Sequence, residues 1–406
     1  MPRIKNNYHV LRKIYVLSKI IGLYTGFDKT IITPEKPVYL AGLSNNRLSE
    51  GVHDDIYVRT TILSDDNINV AIVGLDSIGL MYNYVKQIQE KFLKKDIYVI
   101  IGSSHCHSTP DLIGIWGPSE DKSGLDEDYL SLVLNKISES IEKAESKIEK
   151  TSIIVGYSKI PEGVARNGRD PGLMDKDISV MLMKSKSSKD TLGFVINFGL
   201  HPEVLWSDNK LITADYVFYL LKKLEEELSG IGVFLNGALG GMITPDVKAH
   251  TFEEAERVGS TIAESILATM HSDEIKYLSS GSLNVICKNI ILPVENKKLI
   301  NASKKGVIKR SFDREQFVDS QICSLKIGSL IHIITLPGEP LPKVGMKAKN
   351  LLKAPYKFLV GLGNDEIGYI IDIEDWTPNK YEESMSLGPR TADILLAQIN
   401  EIVQLH

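Results

Sequence analysis

The spacing of apolar and polar positions changes character along this chain. Over the first 270 residues, short apolar runs rich in β-branched residues alternate with longer stretches of helical period. The runs predict strands at residues 56–63, 69–75, 97–102, 152–157, 178–183, 192–198 and 232–235. The helical stretches are residues 83–94, 126–147, 214–228 and 252–270. In the second of these, Leu130, Val133, Leu134, Ile137 and Ile141 fall on one face behind an acidic first turn. Beyond Tyr277 the pattern becomes more β-like, at residues 281–292 and 322–336, the latter with a turn at Gly328 and Ser329. Helices return at residues 344–352 and 391–403. Residues 296–314 are polar and basic, which predicts a surface excursion. No internal repeat or low-complexity linker interrupts the pattern. It predicts an α/β fold, a single large domain around a mixed β-sheet flanked by helices, spanning residues 24–406 behind a lead-in at 1–23.

Bulk properties narrow the function by exclusion. A net charge of −5 on 406 residues gives no basic footprint for nucleic acid. Lys94-Lys95 and Lys304-Lys305 read as solvated surface. The three cysteines, Cys106, Cys287 and Cys323, are odd in number and far apart, which argues against a disulfide framework and for a reducing, cytoplasmic setting. The apolar run at residues 14–23 is broken by Ser18 and Lys19 and lacks a small-residue cleavage site, so it reads as a lead-in and not a signal peptide. No stretch approaches the roughly 20 apolar residues of a membrane span.

The candidate chemistry sits where strands run out. The run Ser104-His105-Cys106-His107-Ser108-Thr109-Pro110 follows an apolar strand. If the backbone stays extended there, His105 and His107 point to one side and Cys106 to the other, into the core. Two imidazoles in one cleft suit a metal, or one ligand and one acid/base group. Such a pair alone is equally at home in a core or on a surface. A second strand-end histidine, His201, follows in Asn197-Phe198-Gly199-Leu200-His201-Pro202. A carboxylate occupies the same kind of position in Pro337-Gly338-Glu339-Pro340, although a lone glutamate there reads equally as a charged turn. Asn364 to Tyr369 and Tyr381 to Pro389 add acids and tyrosines in loops.

Taken in order, these segments resemble the catalytic domain of the neutral/alkaline, non-lysosomal ceramidase family. Gly51-Val52-His53-Asp54-Asp55-Ile56-Tyr57-Val58-Arg59 resembles its Gly-x-His-Asp-x-Leu-Tyr-x-Arg stretch, and the His105 run its Thr-His-Thr-His-Ser-Gly-Pro box. Asn197 to Pro202 resembles its Asn-x-Gly-x-His-Pro box; Pro337-Gly338-Glu339 and Tyr381-Glu382 resemble its two late metal boxes. The resemblance runs from about Tyr24 to the end and implies a metallohydrolase domain with Zn²⁺ held by His105, His201, Glu339 and Tyr381. It implies catalytic roles for His107, for an arginine at Arg166 or Arg169, and for Thr244, which stands where the family has a serine. Gly240 and Gly241 offer backbone N–H groups to an oxyanion. Asp76, His53 and Asp54 are candidates to orient a ligand histidine, and Asp215 to cap a helix.

The departures bear on substrate. The family's Gly-Asp-x-Ser-Pro box reads Gly240-Gly241-Met242-Ile243-Thr244-Pro245 here, without the acid. Neither a secretion signal nor the family's C-terminal immunoglobulin-like domain is evident. The expectation is a zinc-dependent hydrolase of amide (N-acyl) bonds, ester being an alternative, acting on a small-molecule or lipid-like substrate other than ceramide or smaller than it. The rival is a non-catalytic, metal- or ligand-binding descendant of the same fold. Neither a nucleic-acid partner nor an integral membrane segment is expected, and the oligomeric state is open.

Overall fold

The helical periods become helices within two residues of the predicted bounds, at Tyr82–Leu93, Glu127–Ser146, Tyr216–Leu228 and Phe252–Met270. Asp126 caps the second by accepting from the N–H groups of Asp128 and Tyr129, and Asp215 caps the third through Tyr216 N–H. The computed structural model describes residues 22–312 and 316–406; the predicted lead-in lies outside them except for Gly22 and Leu23.

The predicted strands join one mixed nine-stranded sheet. From one edge the order is Ile231–Asn236, Thr191–Phe198, Asp177–Ser185, Glu149–Lys159, Tyr24–Ile31, Tyr57–Ser64, Asn69–Leu75 and Ile97–Ser103, with Lys276–Leu278 beside Glu149–Lys159. The two outermost pairs are parallel, and the pairs between them are antiparallel. Both strand-end histidine motifs therefore leave parallel strands, where chain ends converge on a binding crevice.

One face of this sheet carries the helices Tyr82–Leu93 and Glu127–Ser146 over one half and Tyr216–Leu228 and Phe252–Met270 over the other. The opposite face packs on a second, four-stranded sheet of Leu283–Pro293, Phe317–Ile327, Ile331–Thr335 and Tyr356–Val360. Ile72, Ile100 and Val195 meet Leu325, Ile333 and Phe358 in that interface. The helices Pro342–Leu351 and Thr391–Gln404 cover the far side. The layers thus run helix, sheet, sheet, helix. The large mixed sheet is as predicted; the second sheet behind it absorbs the β-like C-terminal third.

Two expectations are corrected. Cys287 and Cys323 lie directly opposite each other on adjacent antiparallel strands and form a disulfide. Their separation of 36 residues hid a pairing that register creates, and the cysteine count no longer argues for a reducing compartment. Residues 296–312, read as part of a surface excursion, instead form the helix Lys297–Lys304, which buries Ile300, and a loop whose Val307, Ile308 and Arg310 are buried. The lysines face water and conceal an apolar underside. Among the described residues, no helix is long and apolar enough to cross a membrane.

Candidate metal centre

Strand Ile97–Ser103 stops one residue before the His-x-His motif, and the chain turns at His105 (φ 65°), a left-handed conformation that non-glycine residues adopt at a cost. The extended alternation expected there is replaced by this turn. The outcome for side chains is the same. His105 and His107 face one cleft, their ring centroids 5.0 Å apart. Cys106 is fully buried on the other side, its thiol donating to Thr213 O. His201 arrives from the end of Thr191–Phe198, 5.1 Å from the His105 ring and 5.5 Å from that of His107. One ring nitrogen from each of the three lies within 4.8 Å of the others. Glu339 comes from the second sheet, just beyond Ile331–Thr335.

Hydrogen bonding fixes which nitrogens face the centre. His105 Nδ1 lies 2.6 Å from Ile78 O, and His201 Nδ1 lies 2.9 Å from Ile243 O. A carbonyl only accepts, so each Nδ1 carries its proton. In the neutral rings each Nε2 then presents a lone pair, and both lie close to Glu339 Oε2, at 3.4 and 3.3 Å, the His201 nitrogen in hydrogen-bonding alignment with it. Lone pairs facing a carboxylate oxygen require a cation between them: extra protons or a metal ion. Ligands 2.0–2.2 Å from a tetrahedral zinc sit about 3.3–3.5 Å apart, which is the spacing observed. Further buried atoms near this point lack hydrogen-bond partners, namely both ring nitrogens of His107, Glu203 Oε1 and Glu366 Oε2. His107 Nδ1 is 3.2 Å from Glu203 Oε2 but not aligned for a hydrogen bond. The donor set therefore fits a metal ion.

The electrostatics follow from burial and these contacts. Burial would raise the Glu339 carboxyl, but His105 and His201 outweigh it and hold the group well below the usual range. Burial opposes charge on His201, yet Glu203 and Glu339 raise its pKa. His107 is lowered by burial first and then by its two imidazole neighbours. Burial and the nearby Glu339 push Glu366 well above the carboxylate range.

Ile78 and Ile243 carbonyls do the orienting work expected of carboxylates. Asp76 instead accepts from Tyr57 N–H, and burial pushes it to about 6. Asp54 binds His53, Thr213 and Ala214 N–H behind the site. The Gly240 N–H, expected to be free for an oxyanion, donates to Pro340 O.

Tyr381 opens the short helix Tyr381–Ser384, is 56% exposed and lines the cavity walls beside Tyr369. Tyr369, named from sequence only within the 364–369 segment, is buried, and burial together with the neighbouring Glu339 pushes its phenol well above the usual range. Glu203 was missed as a site residue, and Glu366 was named only within the 364–369 segment, without a role. The two candidate arginines differ in their partners. Arg169 is committed to Glu383, at 2.7 and 3.2 Å, and to Glu382, at 3.1 Å, so it anchors the Tyr381 helix. Arg166 pairs in register with Thr244 on a two-stranded ribbon and lines a cavity with Glu203.

Three cavities share walls around the centre. A narrow one of about 80 Å³ is lined by Ile78, Met81, Ile113, Trp116 and Phe312 and reaches His105, His107 and Glu339. One of about 340 Å³ is bounded by His107, His201, Glu203 and Tyr381. A third, of about 290 Å³, lies beyond Glu203 and Trp206. Gly42 backs His107. It has φ 98°, and a Cβ there would come within 2.4 Å of the His107 ring. Gly42→Ala is therefore expected to cost about 1–2 kcal/mol for the left-handed backbone alone and to displace His107. Denaturant unfolding reads the first effect and turnover the second; an unchanged midpoint would contradict the clash.

The folded architecture has known counterparts. Among solved structures, the crystal structure of neutral ceramidase from Pseudomonas aeruginosa superposes with a TM-score of 0.78 at 15% identity, covering 95% of this chain and 74% of that one. A structure of a ceramidase complexed with C2 gives 0.79 at 15% identity, with 95% and 75% covered. The chain thus has a ceramidase-like α/β fold. No family model matches the sequence, and no curated protein matches it.

Proposed function

We propose that this protein is a zinc-dependent amide hydrolase that cleaves an N-acyl bond in a substrate smaller and more soluble than a long-chain ceramide. The observation that carries this reading is the pair of imidazole lone pairs aimed at one Glu339 oxygen at zinc-ligand spacing. His105, His201, Glu339 and Tyr381 would hold the ion. Zn²⁺ in such a site polarises a carbonyl and acidifies a water. His107, packed edge-on against both imidazole ligands, accepts a proton as water adds and delivers it to the departing nitrogen. Arg166 and Thr244 contact the departing half. An ester fits the same arrangement.

The apolar cavity takes the acyl group. Whole small-molecule sites occupy about 300–1,000 Å³, so a branch of about 80 Å³ suits a short chain. The test is kcat/KM for a short N-acyl amine against a long-chain ceramide in micelles, with zinc content measured in parallel. The short amide is expected to be the better substrate. Efficient ceramide turnover that His201→Ala abolishes would overturn the size argument. Stoichiometric zinc without turnover of any amide or ester would favour a binding protein of this fold.

A further inference from the structure

The cavity beyond Glu203 has a chemistry unlike the apolar one. Its walls include Arg166, Thr244, Trp206, His250 and Glu203. Antiparallel register places Arg166 and Thr244 directly opposite each other, so their side chains share one face of the ribbon. Among the described residues the exposed Arg166 side chain has no hydrogen-bond or ion-pair partner and is free to turn to a ligand, in contrast to the fully committed Arg169 three residues on. Thr244 is buried, and among the described residues its hydroxyl likewise makes no hydrogen bond. Trp206 stacks on His250 at 5.4 Å and holds a left-handed backbone (φ 57°), unusual for a bulky residue, at the border between this cavity and the one with His107 and His201. The only acid on the wall is Glu203, whose buried Oε1 has no donor.

Free donors at one end and an orphaned acceptor nearer the histidines make a complementary pair. We infer that the amine half of the substrate carries an acid group, as in an N-acylated amino acid. Arg166 and Thr244 bind that acid, and Glu203 Oε1 accepts the amide N–H. A planar guanidinium matches a carboxylate in two parallel hydrogen bonds. The scissile carbonyl then lies between the two sites, beside His105 and His201, with its acyl chain in the apolar cavity. This inference rests on the amidase reading for the position of the bond, but not for the binding of the acid.

The experiment compares N-butanoylglycine with its uncharged counterpart N-butanoylglycinamide on the zinc-loaded protein. Binding is read by quenching of tryptophan fluorescence, Trp206 lying in the cavity wall, and turnover by release of the amine. The acid is expected to bind, and to be cleaved, about tenfold or more better, the range of a hydrogen bond to a charged group. Arg166→Gln is expected to remove that preference, and Arg166→Lys to restore part of it; Thr244→Val, a nearly isosteric change, is expected to halve it or more. Equal binding of acid and amide by the native protein, or a preference that survives Arg166→Gln and Thr244→Val, would overturn the inference. Equal cleavage of both would do so while leaving the amidase reading intact. Selective binding of the acid with no cleavage of either would overturn the amidase reading and leave the acid site standing.

Discussion

Replacing His201 by alanine is expected to abolish stoichiometric zinc retention and to lower amide turnover by more than the roughly 10–100-fold that outer-shell changes cost. His201 supplies one of two lone pairs converging on Glu339 Oε2, and it is only 1% exposed, so no water replaces it without opening the core. The ring is pinned through Nδ1 by Ile243 O, which leaves Nε2 no other task. His271→Ala is the control, because that ring only meets Leu267 O at an exposed helix end. Mass spectrometry of the metal content after dialysis decides the matter. One tightly held zinc per His201→Ala chain would remove His201 from the ligand set.

A second large effect is expected behind the site. Asp365 is completely buried, and Arg310 holds it through two hydrogen bonds of 2.7 Å. The same carboxylate accepts from Ser320, from Glu366 N–H and from Tyr82 N–H. The last contact completes the start of helix Tyr82–Leu93, whose own N-cap residue, Met81, provides no side-chain bond. Arg310→Met would leave an uncompensated buried charge, a change that costs about 3–5 kcal/mol. It would also loosen Glu366, the next residue, at the edge of the centre. Thermal and denaturant unfolding should both show the loss. Replacing Asp365 by leucine as well should recover part of it, since the stranded charge is then gone. A single-variant loss below about 1 kcal/mol would show that water reaches Asp365.

The parts of this molecule that could be read in advance are those where one local rule decides. Phe252–Met270 emerged with its predicted bounds because its apolar stripe and its capping threonine agree. The convergence of His105, His201 and Glu339 was legible because each follows an apolar strand beside a turn residue. Glu203 and Glu366 were not, because a carboxylate in a loop looks solvated until packing buries it. Arg310 was hidden in the same way among lysines. Cys287 and Cys323 meet only through strand register, which no local pattern encodes. The second sheet was missed as a separate layer because strand signals carry no information about which strands will pair.

The origin of the ligands has a further consequence. His105 and His201 leave the large sheet, whereas Glu339 leaves the smaller sheet packed on its back. An ion gripped by all three would add a clamp between two layers that also meet through apolar contact across Ile72, Val195, Ile333 and Phe358 and through hydrogen bonds such as those between Asn197 and Leu359. Resistance to unfolding is then expected to rise with free zinc, by about 1.4 kcal/mol for each tenfold excess over the dissociation constant. Without such an ion the two layers would lose that added clamp, and the chain is expected to be easier to unfold and to degrade.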